Sequence, residues 1–138
     1  MPQTTLTLNT PGRGFTDLTR RLAEVVRRTS VQTGLCHVFL RHTSASLVIQ
    51  ENADPDVLHD LEQWMAAHVP DGDPAYRHSA EGPDDMPSHI RAALTASSVT
   101  LPITDGRLAL GTWQAVYLYE HRHAPHARTL TITVVDAG

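Results

Sequence analysis

The C-terminal third of the chain carries four strand-forming runs, Val99 to Ile103, Arg107 to Leu110, Thr112 to Glu120 and Thr129 to Val135, with short connections between them. β-branched and aromatic residues favour the pleated conformation there, and connections this short join antiparallel neighbours. Asp105-Gly106 has the chemistry of a hairpin turn. Upstream, Thr4 to Leu8 alternates polar and apolar residues until Pro11, Gly12 and Gly14 break the pattern. Leu35 to His42 and Ala45 to Gln50 read either as strands paired about a His42-Thr43-Ser44 corner or as one long bent strand.

Helical spacing occupies the gaps between these runs. Phe15, Leu18, Leu22, Val25 and Val26 form one stripe, with Arg20, Arg21, Glu24, Arg27 and Arg28 on the opposite, solvated face. Asp54-Pro55 supplies a capping acid and a proline at the first helical position, followed by an apolar stripe of Val57, Leu58, Leu61, Trp64 and Met65. Pro87 opens a third, shorter helix with Ile90, Ala93 and Leu94 on its apolar side. The pattern predicts an α+β fold in which residues 1–138 form one domain: a largely antiparallel, sandwich-like sheet core covered by two or three helices.

The 138 residues suit a single core, and 41% hydrophobic with 19% charged residues is a globular composition. No run nears the roughly 20 apolar residues that span a bilayer, and MPQTTLTLNTPGRG lacks the pattern of a secretory leader, so a cytoplasmic protein without a membrane partner is expected. The net charge of −4 argues against a nucleic-acid partner. Cys36, the sole cysteine, falls in an apolar run and reads as a small core residue.

Nine histidines are the compositional excess, and imidazole serves both as metal ligand and as acid or base near neutral pH. His42 shares a strand face with Cys36, Val38 and Leu40 and is expected to point inward at the core edge. His78 comes from residues 71–85, an unusually long polar loop, and His89 lies about one turn inside the third helix. Spacing alone favours a hydrogen-bonded core His42 and exposed His78 and His89 over a shared metal, because no compact signature such as H-E-x-x-H is present. EHRHAPHA, holding His121, His123 and His126, reads as an exposed turn, with His121 a reserve ligand. Asp84 or Asp85 is placed to cap the third helix, and Trp113 to anchor a core or an interface. Phosphate-loop, nucleophile-elbow and dinucleotide motifs are absent from the sequence.

HTSAS at 42–46, ENADP at 51–55, YRH at 76–78, EGPDDMPSHI at 81–90, DGRLALGTWQ at 105–114 and YEHR at 119–122 together resemble the YjbQ family, the secondary thiamine-phosphate synthases, in both order and spacing. The resemblance covers roughly residues 5–136 and implies a homotrimeric α+β protein with a histidine-rich metal pocket at or near the subunit boundary. Carried over position by position, it implies His42, His78 and His89 as metal ligands, with Glu51, Asn52, Asp85, Gln114 and Glu120 as catalytic or supporting groups. The extra histidines of EHRHAPHA match no family role.

The implied activity joins a pyrimidine diphosphate to a thiazole phosphate, releasing pyrophosphate and forming thiamine phosphate. A divalent ion, Arg122 and also Arg41 or Arg77 are placed to neutralise the leaving charge, and Ser44, Ser46 and Gln114 to bind phosphate oxygens of a small phosphorylated metabolite. Imidazoles favour zinc or a similar ion, whereas a diphosphate favours magnesium. Two other functions fit the same residues: a metal-dependent hydrolase of a small substrate, and a non-catalytic trimer that binds a metabolite or metal.

Overall fold

The alternating N-terminus forms β1 (Gln3–Thr10), and the glycine-rich turn leads into β2 (Gly14–Asp17) and α1 (Thr19–Thr29) in the computed structural model, which describes residues 2–138 and leaves Met1 outside. β3 (Gly34–Leu40), β4 (Ala45–Glu51), α2 (Pro55–His68) and α3 (Asp85–Leu94) follow, then β5 (Ser98–Thr104), β6 (Arg107–Leu108), β7 (Gln114–Glu120) and β8 (His126–Asp136). The described residues build two antiparallel sheets, one in the order β1-β8-β3-β5-β6 and one in the order β2-β7-β4. This is the expected α+β architecture, with antiparallel sheets and all three helices formed.

Between the sheets and α1 lies one apolar core. Leu22 and Val26 enter it from α1, Cys36, Val38 and Leu40 from β3, and Leu130, Ile132 and Val134 from β8, each at every second strand position as the pleat requires. Burying a leucine of this kind stabilises the fold by about 2 kcal/mol. Burial also pushes the Cys36 thiol up to about 11, which leaves it inert as a nucleophile.

The structure departs from the sequence pattern at several points, each for a local reason. Phe15 belongs to β2 and not to the first helix: it pairs with Tyr119, and their rings stack at 3.9 Å. The helix begins only after Asp17, whose carboxylate accepts the Thr19 N–H at 2.8 Å. β3 and β4 are neither paired nor one bent strand. β3 lies between β5 and β8 while β4 pairs with β7, so residues 41–44 carry the chain from one sheet to the other. His42 is therefore at a half-buried crossing between sheets.

The apolar stripe of α2 is mostly half-exposed. Met65 alone is buried, and Trp64, 51% exposed, stacks on His68. The Asp54 carboxylate caps α2 through the Asp56 N–H at 2.9 Å, as expected, an arrangement worth about 1 kcal/mol. α3 begins at Asp85, two residues before Pro87, and buries Asp85, Pro87, Ser88 and Arg91 while Leu94 is 57% exposed. Its inward face is polar because it meets polar side chains of α2 and β7: Arg91 meets Glu62 of α2 at 2.6 Å, and Glu62 also accepts from the hydroxyl of Tyr119 on β7 at 2.5 Å. Trp113 is 61% exposed, so it does not anchor the core. No helix among the described residues is long and apolar enough to cross a membrane.

Candidate metal centre

Asp85 and His89 are one helical turn apart at the start of α3, so both side chains lie on the same helix face. The loop before α3 brings His78 to them. It is closed on itself by the Gly72 N–H to the Pro83 carbonyl and by the Tyr76 hydroxyl to the Pro70 carbonyl, both 2.9 Å, and Gly82 turns it at φ +105°. Ligand atoms of His78, Asp85 and His89 all lie within 4.8 Å of one another. Asp85 Oδ2 is 2.6 Å from His78 Nε2 and 3.3 Å from His89 Nε2.

Hydrogen bonding fixes which nitrogen of His89 is available. Nδ1 is 2.9 Å from the Thr43 carbonyl, which can only accept, so Nδ1 carries the hydrogen. In the neutral ring, Nε2 then turns a lone pair toward a carboxylate oxygen. Two acceptors facing each other require a cation between them, either a proton on the ring or a metal ion. A carbonyl that orients an imidazole in this way is the usual support of a metal-bound histidine. Two imidazole nitrogens and one carboxylate suit zinc or a similar transition ion, with a coordination position left open, better than they suit magnesium.

Arg122 locks the acid side of the site. Its Nη1 donates to Asp85 Oδ1 at 2.9 Å, its Nε to Asp84 Oδ2 at 3.2 Å and its Nη2 to the Glu81 carbonyl at 2.9 Å. Asp84 also accepts the His123 N–H at 2.8 Å and makes no capping bond to α3, although it occupies the cap position. Burial alone would raise the Asp85 carboxyl, but the hydrogen bond from His78 and the charge of Arg122 hold it below the usual carboxylate range.

Behind this group is a buried polar layer. Glu120 is fully buried and takes the Arg128 guanidinium in a two-pronged pair, Nε to Oε1 at 2.7 Å and Nη2 to Oε2. Thr10 Oγ1 at 2.7 Å and the Arg122 N–H at 3.1 Å complete its shell. Burial alone would raise the Glu120 carboxyl, and these bonds outweigh that effect and keep it ionised. Ser44 Oγ accepts from Arg128 at 3.0 Å, and Ser46 Oγ lies 2.8 Å from His121 Nε2.

His121 corrects the expectation of an exposed turn: it is completely buried, because it continues the face of β7 that carries Tyr119, which α2 and α3 cover. Burial, with the nearby Arg91 charge, pushes its pKa down to about 3. The unfolded imidazole titrates near 6.5, so the unfolded chain takes up a proton that the folded chain refuses; stability is full above about pH 6.5 and is lost as the pH falls toward 3. Urea unfolding is therefore expected to show stability declining between about pH 7 and about pH 4.5. The decline should be shallower in His121→Gln, with His42 supplying part of what remains because burial lowers its pKa as well. An unchanged slope in that variant would remove His121 as the cause.

The other residues implied by the resemblance fall into two places. His42 stands apart from the three-residue group. Its Nε2 accepts the Thr129 N–H at 2.8 Å, just past the last β3–β8 pair, Leu40 with Leu130. Ser44, Ser46, Glu120 and Arg122 lie on the same side of the molecule. Glu51, Asn52 and Gln114 do not: in the β4–β7 register Ala45 faces Glu120 and Glu51 faces Gln114, so the length of a strand, about 20 Å, separates the two ends. There Gln114 accepts the Gly111 N–H at 2.7 Å, and the Asn52 N–H donates to the Trp113 carbonyl. Arg41 and Arg77 are exposed.

Sequence reasoning passed over Arg128, Arg91, Glu62 and Tyr119. Arg128 had a readable signal, since it shares the strand face of Leu130, Ile132 and Val134, where a charge must be buried and paired.

The family model described as "UPF0047 protein YjbQ-like" matches residues 4–137. The UPF0047 protein sll1880 of Synechocystis sp. is 54% identical over 132 residues, covering 96% of this chain and 90% of that protein. The UPF0047 protein YjbQ of Escherichia coli O157:H7 is 43% identical, covering 96% of each. Among solved structures, the conserved hypothetical protein TT1486 from Thermus thermophilus superposes with a TM-score of 0.86 at 35% identity, covering 96% of this chain and 99% of that one. These names state a family and no reaction. The chain belongs to the UPF0047 family of YjbQ-like proteins.

Proposed function

We propose that this protein is a metal-dependent enzyme of small phosphorylated metabolites, with a zinc-like divalent ion held by His78, Asp85 and His89. The observation that carries the reading is the convergence of their three ligand atoms within 4.8 Å, with the lone pair of His89 facing a carboxylate oxygen. A bound ion would supply Lewis acidity to a phosphoryl oxygen. His89 is oriented by Thr43 and Asp85 by Arg122, so the donor set is already arranged before an ion arrives.

The particular reaction, drawn from the family resemblance, is that of a secondary thiamine-phosphate synthase: joining hydroxymethylpyrimidine diphosphate to thiazole phosphate with release of pyrophosphate. Incubating zinc-loaded protein with both precursors and magnesium is expected to yield thiamine phosphate, and His89→Ala to lower the rate at least about 100-fold. Absence of product from protein shown to hold its metal would sink the synthase assignment.

A hydrolase is the second reading, favoured by the open coordination position that two imidazoles and one carboxylate leave for water. It would show as hydrolysis of a phosphate ester by the wild type and not by His89→Ala. Assembly into a cytoplasmic homotrimer completes the proposal. Leu35 and Phe39, 43% and 45% exposed on the outer face of β3, are suited to subunit contact. A monomeric mass by sedimentation would contradict the trimer.

A further inference from the structure

We propose that His42, Arg128 and Arg41 form a phosphate-binding subsite beside the metal centre, in which His42 acts as an anion donor and not as a metal ligand. The Thr129 N–H can only donate, and it donates to His42 Nε2 at 2.8 Å. The hydrogen of the neutral ring therefore sits on Nδ1. That nitrogen lies 3.3 Å from Arg128 Nη1. Two donors are thus pressed together with no acceptor between them, the inverse of the arrangement at His89 and Asp85.

The rest of the Arg128 guanidinium is fully used. Nε and Nη2 are bound to Glu120, and Nη2 also reaches the Ser44 carbonyl and hydroxyl. Nη1 has only His42 opposite it among the described residues. Ser44 Oγ accepts from Arg128, so its own hydrogen is free to donate. An acceptor shared by His42 Nδ1, Arg128 Nη1 and Ser44 Oγ would satisfy all three.

These groups border an open cavity of about 630 Å³, whose wall also includes Arg41 and Ser97. The charged and titratable groups that act on His42 are Arg128, Glu120, His126 and Arg41. Glu120 is matched by Arg128, which leaves Arg41 as the unbalanced charge, so the cavity favours an anion. A phosphoryl group offers enough oxygens to meet donors from three directions and enough charge to meet Arg41.

His42, Thr43 and Ser97 also line a second cavity of about 260 Å³ that reaches His89. A phosphate held at His42 would therefore place the remainder of a small metabolite toward the candidate ion. The anion subsite stands on His42, Arg128, Ser44 and Arg41 and needs no metal; its service to the metal centre rests on the function proposed above.

The test is titration of inorganic phosphate into metal-stripped full-length protein, followed by calorimetry and by the ring nitrogen signals of His42, with acetate as a parallel ligand. Saturable phosphate binding is expected, with the His42 pKa rising on binding and with acetate at least about 10-fold weaker. Arg41→Ala, at an exposed position, and His42→Leu should each weaken phosphate about 10-fold or more, with folding checked by circular dichroism. Phosphate binding that appears only after zinc is restored would assign the anion to the metal and overturn the subsite. So would titration of stripped protein without movement of the His42 signals, or equal affinity for acetate. None of these results depends on whether the protein makes thiamine phosphate.

Discussion

Glu120→Ala is expected to lower the free energy of unfolding by about 3–5 kcal/mol, a large part of the stability of an ordinary domain. The carboxylate is wholly buried and satisfies two nitrogens of Arg128, itself 3% exposed, together with Thr10 and the Arg122 N–H. Removing it leaves a guanidinium in the interior without its counter-charge. The double variant Glu120→Ala/Arg128→Met should recover part of the loss, because the penalty lies in the orphaned charge more than in the missing contact. Urea denaturation checks both. A single-variant loss below about 1 kcal/mol, the worth of an exposed pair, would mean that water reaches this pair in solution.

The second large effect concerns the metal. Asp85→Ala and His89→Ala are each expected to weaken zinc binding at least about 100-fold, since each removes a ligand and since loss of mere supporting groups already costs roughly 10–100-fold at known sites. Asp85→Ala also removes one of the three anchors of Arg122, so a companion Asp85→Asn, which can still accept from Arg122, separates loss of ligand charge from loss of that anchor. His42→Ala should leave zinc affinity within a few-fold, because His42 Nε2 is occupied by the Thr129 N–H. An equal loss of zinc in His42→Ala and His89→Ala would restore His42 to the ligand set.

The strands were legible where pattern and partner agree. β5, β7 and β8 declare themselves through β-branched runs and short turns, and Asp54-Pro55 states the start of α2 because a cap is a local event. Phe15 was misread because spacings of three and four residues suit a helix stripe and also fit a strand end followed by a helix; only pairing with Tyr119 decides between them. The separation of β3 from β4 is likewise invisible locally, since nothing in His42-Thr43-Ser44 distinguishes a hairpin corner from a crossing between sheets.

The candidate site was legible in its residue types and less so in its grouping. His78 and His89 stand in the group that the structure brings together, and Asp85, read as a supporting acid, stands between them. A carboxylate and an imidazole four apart at a helix start are a visible signal. The role of Thr43, a main-chain carbonyl, leaves no trace in residue identity. Glu51, Asn52 and Gln114 share motifs with the site residues yet sit a strand's length away, because one strand can serve a site at only one of its ends.

The most direct measurement is an anomalous difference map, at the zinc absorption edge, from crystals of zinc-loaded protein. The account predicts one principal peak at about 2.0–2.2 Å from His78 Nε2, His89 Nε2 and a carboxylate oxygen of Asp85. A peak coordinated by His42 in place of these groups, or no peak between residues 78, 85 and 89, would contradict it.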